Sequence, residues 1–128
     1  MQPLVNMEMV VNEISIKNNN LPAGNFNIEP VVKRNIGELD ENHMVVELVA
    51  EIVNTEEHPF PVDIRVSIAG KFETGKIPKE EVDHFLKIQA VQILFPYVRS
   101  MVTNITTNAM LPPIVLPVVD VRTLFDDE

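Results

Sequence analysis

The sequence predicts an α+β fold: a four-stranded antiparallel sheet packed against one long kinked helix, then an apolar, proline-rich segment and a short C-terminal helix. Three observations predict it. Four strand-like apolar runs succeed one another with short connections, and parallel pairing would need long crossovers instead. After Gly75 the hydrophobic period changes from two to that of a helix. Beyond Asn108, the prolines Pro112, Pro113 and Pro117 rule out a regular helix within an otherwise apolar stretch.

The first strand runs from Met9 to Lys17, with Val10, Ile14 and Ile16 placed on one face at period two. Asn18 to Gly24 has the residue types of a turn or loop. Phe26, Ile28 and Val32 mark a second strand, which Pro30 assigns to an edge or a bulge. Gly37 to Asn42 is polar and acidic and reads as a connecting loop. In the third strand, Met44 to Asn54, one face carries Met44, Val46, Leu48, Ala50 and Ile52. Its other face mixes Val45, Val49 and Val53 with Glu47 and Glu51. Thr55 to Pro59 is a turn. Val62, Ile64, Val66 and Ile68 then alternate with Asp63, Arg65, Ser67 and Ala69 toward Phe72, the pattern of a half-buried strand.

Pro78-Lys79-Glu80-Glu81 opens the helix, with proline near the first turn and acids at the positive end of the helix dipole. Val82, Phe85 and Leu86 begin an apolar stripe, and the helical pattern reaches about Asn108. Pro96 interrupts the backbone ladder, so a kink, or two successive helices, is expected between Gln89 and Pro96. Val91, Leu94, Phe95, Val98, Val102, Ile105 and Ala109 share one face, and Ile93, Tyr97 and Met101 form an adjacent stripe. One sheet buries only the first stripe. The second needs a sister subunit, a second helix or a client.

Leu111 to Val119 is extended and apolar, whereas loops are usually polar, so it must lie against something or help to form a groove. A short helix capped by Asp120 follows, through Leu124 and Phe125. Neither a repeat nor a second domain is visible, and residues 1–128 read as one domain.

Net charge is −9 with a pI near 4.7, which disfavours nucleic acid and anionic membranes as partners. The absence of cysteine removes disulfides, thiolate catalysis and cysteine-based zinc sites. Met1 to Asn20 has no signal-peptide pattern, and no apolar run approaches the ~20 residues of a membrane span. The expectation is a soluble, cytoplasmic protein.

Catalytic and cofactor chemistry finds no support. His43, His58 and His84 lie in three different segments, and the Glu80/His84 pair reads as surface. The acid pairs Glu56-Glu57, Glu80-Glu81 and Asp126-Asp127 read as solvated. Gly70 and Gly75 make no phosphate loop, and no nucleophile elbow occurs. Neither an enzyme activity nor a metal or cofactor is expected. Arg99 is expected to hold a structural carboxylate, and Phe125 fits a core or a groove wall equally. Met101 and Met110 have the adaptability of promiscuous apolar binding, and each alone reads as core filling.

Ile93-Leu94-Phe95-Pro96-Tyr97-Val98-Arg99 resembles the Ile-Leu-Phe-Pro-Tyr-x-Arg signature on the main helix of the SecB protein-export chaperones. The likeness continues downstream. Thr103 falls on a threonine, Pro112 opens the crossover loop, and Leu116, Val119, Leu124 and Phe125 fall on the family's Leu, Val, Leu and Phe. Asp120 stands where the family has Asn. Upstream, Gly70-x-Phe72 and Glu13-Ile14-Ser15-Ile16 resemble the ends of strands four and one.

The resemblance implies an ATP-independent holdase without enzyme activity, binding unfolded or precursor polypeptides in an apolar groove, with protein export as its setting. It implies a homo-oligomer, a dimer or a dimer of dimers, with the long helices sandwiched between sheets. Leu111, Ile114, Leu116, Val118, Leu124 and Phe125 would contact the client. Ile93, Tyr97 and Met101 would form the oligomer interface. The SecA motor is contacted through acids on the exposed sheet face, which here are Glu13 and Asp63, with Arg65 as the other alignment of the second. Lys17 replaces a further acid, and the family's C-terminal tail is expected to be missing after Glu128. Two alternatives stand beside export: a dedicated SecB-like chaperone of a toxin–antitoxin pair, which would bind the antitoxin, and a non-chaperone oligomeric assembly protein.

Overall fold

In the computed structural model, which describes residues 7–22, 24–117 and 120–125, four antiparallel strands form one sheet in the order β1-β4-β3-β2. The strands are β1 (Met7–Asn18), β2 (Val31–Asp40), β3 (His43–Ile52) and β4 (Val62–Glu73). The helical region comprises α1 (Lys79–His84), a π-turn (Phe85–Gln89) and α2 (Ala90–Asn108), and a four-residue helix α3 (Val121–Leu124) closes the described chain.

The central strands carry the core. Residues that face each other across a pair share a sheet face, and the β3/β4 register pairs Leu48 with Ile68, Ala50 with Val66 and Ile52 with Ile64. These side chains are buried against Val91, Leu94, Phe95, Val98 and Val102 of α2. The Phe72 and Phe85 rings meet edge to face at 5.5 Å, joining β4 to the π-turn.

Four expectations change. In β1 the register slips between Val11 and Glu13, so Val10 pairs with Ala69 on the outer face, while Ile14 and Ile16 pair with Val66 and Ile64 on the helix side. One extra residue in a strand reverses the phase of everything beyond it. Val11, not Val10, therefore joins Ile14 and Ile16. The second strand starts only at Val31, and Phe26 instead packs edge-on against Phe60. It then continues through the expected loop, with Gly37 opposite Val45 and Glu38 opposite Met44. An edge strand that is largely exposed needs no apolar face, so its polarity disguised it. Finally, the irregularity expected between Gln89 and Pro96 is instead the π-turn at Phe85–Gln89, about two to three turns ahead of the proline. Pro96 lies inside α2, where buried Val91, Leu94, Phe95 and Val98 hold the helix to the sheet across the missing N–H bond.

Candidate functional site

At the end of α2 the backbone reverses. Met110 takes a left-handed φ of 62°, its N–H donates to the Thr107 carbonyl at 3.0 Å, and the Leu111 N–H donates to the Thr106 carbonyl at 3.1 Å. The proline-rich segment then returns beside the helix. Prolines 112, 113 and 117 have no N–H to offer a sheet, and the segment's polar backbone atoms meet side chains of α2 instead.

Three of those side chains, spaced to share one helix face, hold the segment. Arg99 Nε donates to the Leu116 carbonyl at 3.1 Å, and Thr103 Oγ1 donates to the Ile114 carbonyl at 2.8 Å. Thr106 Oγ1 accepts from the Ile114 N–H at 3.0 Å while donating back to Thr103 and Val102 carbonyls at 2.9 and 3.1 Å. Thr106 is fully buried, and its hydroxyl meets the N–H of half-buried Ile114. Among the described residues, Arg99 meets a backbone carbonyl and not the expected carboxylate, because the returning chain lies beside its guanidinium.

This anchoring sorts the apolar side chains. Leu116 turns inward and is 1% exposed within the core, whereas its neighbour Val115 is 60% exposed. Leu111, Ile114 and Phe125 are half-buried against the core edge, and Leu124 is also half-buried. Of the residues expected to contact a client, Leu116 is thus a core residue, and Val118 lies outside the described residues. Val115, not among the expected contacts, and Met110, read from the sequence as adaptable, are the large apolar side chains that the described part of this region presents to solvent. Met110 fills no core.

Short helix α3 starts at Asp120, whose Oδ1 accepts the Arg122 N–H at 2.9 Å. Its end is fixed by Arg34 of β2. That guanidinium lies 4.4 Å from the Phe125 ring centroid and donates through Nη1 to the Lys87 carbonyl in the π-turn at 3.0 Å. Arg34 was not singled out in the sequence. Its signal is a cation between Val32 and Ile36 at period two, on the helix side of β2.

Ile93 and Tyr97 are exposed on α2, and Met101 is half-buried beside them. The helix side of β1 adds Met9, Val11 and Ile14, all exposed and large. This apolar tract is wider than the expected stripe.

The opposite sheet face is polar and knit together. Arg65 of β4 pairs with Glu13 of β1 at 2.7 Å and with Glu51 of β3 at 2.8 Å, and Lys33 of β2 reaches the same Glu51 oxygen at 3.5 Å. Glu47 accepts from Ser67 at 2.6 Å, Asn35 at 2.9 Å and Asn12 at 3.3 Å. Those donors, Ser67 foremost, hold its carboxyl below the usual carboxylate range. Asp63 accepts the Asn54 N–H at 2.8 Å and the Asn19 amide at 3.1 Å, and these bonds, the backbone one first, lower its pKa too. Both groups stabilise the fold above their unfolded values near ~4, and that contribution is lost as pH falls through the lowered folded ones. Glu13 and Asp63, the acids expected to meet a motor, are therefore both engaged within the chain.

Among the described residues no group of three or more histidines and acids is arranged to hold a metal, and no helix is long and apolar enough to cross a membrane.

Comparison with known proteins places these features. The family model described as SecB, preprotein translocase subunit SecB, matches residues 3–128. An uncharacterised protein of Methanocaldococcus jannaschii is 32% identical over 118 residues, spanning 90% of this chain and 73% of that one. The protein-export protein SecB of Nitrosomonas europaea is 27% identical over 104 residues, spanning 81% of this chain and 63% of its own length. Among solved structures, a Mycobacterium tuberculosis SecB-like chaperone, in complex with a ChAD peptide from an antitoxin, matches with a TM-score of 0.74. The match covers 90% of both chains at 14% identity, a likeness of fold.

Proposed function

Since the chain belongs to the SecB family, we propose that it is an ATP-independent holdase that captures unfolded polypeptide on the apolar surface formed by the crossover segment and α3. The observation that carries this reading is the tethered segment. Its backbone is tied to α2 through Arg99, Thr103 and Thr106, which leaves Val115 in solvent with Leu111 and Ile114 beside it. Ordering an apolar segment against water has a use if apolar chain is what it meets. Leu111, Ile114, Val115, Leu124 and Phe125 are the proposed contacts, with Val118 next in line along the chain.

We assign the tract of Ile93, Tyr97 and Met101, extended by the helix side of β1, to a second copy of the chain. A single-domain, homo-oligomeric, cytoplasmic protein without enzyme activity completes the proposal. Two settings follow from the family and the neighbour. In export, Glu13 and Asp63 would meet the SecA motor. In the second, the chain serves one antitoxin, as its structural neighbour holds an antitoxin peptide. The pairing of Glu13 with Arg65 favours the second, because it neutralises an acid that a cationic partner would seek.

The test is dilution of a chemically unfolded protein into buffer containing the chain and no nucleotide, followed by light scattering. Stoichiometric suppression of aggregation is expected, and Val115→Ser should weaken it with melting temperature unchanged. No suppression by the wild type contradicts the proposal. Loss of the oligomer in Val115→Ser, with suppression by the wild type absent, would support the assembly protein instead.

A further inference from the structure

We propose that Met110 is a client-contact residue, a thioether tip offered to apolar segments of unfolded polypeptide; this rests on the holdase reading above. The position is closed by paired bonds, Met110 N–H to the Thr107 carbonyl and Leu111 N–H to the Thr106 carbonyl. Such a helix end requires a left-handed residue and favours glycine, because a Cβ there crowds the following carbonyl. This chain places a methionine at φ 62° instead. The side chain is 95% exposed, so it gains no packing in return. The left-handed turn serves the fold, but a methionine there does not: it adds strain that glycine would avoid and puts apolar surface in water. The contribution of Met110 therefore lies outside the chain.

The occupant is a polypeptide client, not a second copy. Met110 is continuous with Leu111, Ile114 and Val115 of the crossover segment, and it follows α2 beyond the Ile93–Met101 tract. An unbranched, polarisable side chain adapts to clients of varying shape, whereas a fixed subunit contact favours a side chain of defined rotamer.

Met110→Gly and Met110→Asn relieve the left-handed strain while removing the thioether, and Met110→Leu keeps the apolar bulk. The probe is fluorescein-labelled, reduced and carboxymethylated α-lactalbumin, a permanently unfolded chain, followed by anisotropy. Met110→Gly and Met110→Asn should melt no lower than the wild type, keep its oligomeric mass, and bind the probe about tenfold more weakly. Met110→Leu should bind within about threefold of the wild type. Undiminished binding by Met110→Gly and Met110→Asn overturns the inference alone. A fall of several degrees in both melting temperatures also overturns it, by giving Met110 a structural role, and dissociation of the oligomer overturns it by moving Met110 to a subunit interface. Failure of the wild type to bind the probe overturns the holdase reading, and this inference with it.

Discussion

Leu116→Ser is expected to destabilise the fold by about 3–5 kcal/mol, the loss of a buried leucine plus the burial of a hydroxyl. The residue is 1% exposed and belongs to the same cluster as Val98, Val102 and Val121. Its carbonyl is the acceptor for Arg99, so a collapse at this site also loosens the crossover segment. Thermal unfolding should show a melting temperature roughly 10–20 °C lower. Val115→Ser, one residue away and 60% exposed, should stay within about 0.5 kcal/mol of the wild type. The contrast separates a core role from a solvent-facing one at adjacent positions of one apolar segment. A Leu116→Ser protein that melted like the wild type and merely bound less client would make Leu116 a contact residue and refute its place in the core.

The second large effect is at Gly70. A Cβ built there would lie 2.7 Å from Phe72 Cε2, 3.0 Å from its Cζ and 3.1 Å from Leu94 Cδ2. Phe72 and Leu94 are both fully buried, and the Phe72 ring is further confined by Phe85. No nearby space accepts the displaced atoms, because interiors are packed as densely as organic crystals. Gly70→Ala is therefore expected to cost about 2–3 kcal/mol, and Gly70→Val more, by overpacking where α2 lies on β4. Equilibrium urea unfolding measures it, and a midpoint unchanged from the wild type would contradict the packing described. The physical content of Gly70-x-Phe72 is thus a ring folded across the bare backbone two residues earlier, with a helix leucine pressed on the same spot.

The readable part of the fold was the part with two unequal environments. β3 and β4 lie in the sheet centre, with a buried helix side, so their alternation was plain from Met44 to Phe72. β1 misled at Val10 because the slip before Glu13 leaves no compositional mark; Asn12 is an ordinary polar residue whose side chain reaches Glu47 across the sheet. β2 misled because an edge strand exposed on most positions looks like a loop. The helix period was correct on both sides of the π-turn, but nothing in Phe85 to Gln89 marks the wider turn itself.

At the site, the proline-rich segment was recognisable as apolar and extended. Which of its side chains face inward was not, since no strand partner sets its phase. That phase comes from Thr103 and Thr106, which fix Ile114 from both its carbonyl and its N–H. Arg34 escaped notice for a related reason: its role depends on the meeting of β2, the π-turn and Phe125, which are far apart in sequence.

The central claim is that unfolded polypeptide is held where the crossover segment leaves apolar side chains in solvent. Methyl-labelled protein titrated with a permanently unfolded polypeptide, without nucleotide, tests this most directly. The account predicts saturable shifts concentrated at Met110, Leu111, Ile114 and Val115, with Leu124 joining them. Val31 and Val45 on the outer sheet face should stay fixed. Shifts confined to that outer face, or none at stoichiometric client, would contradict it.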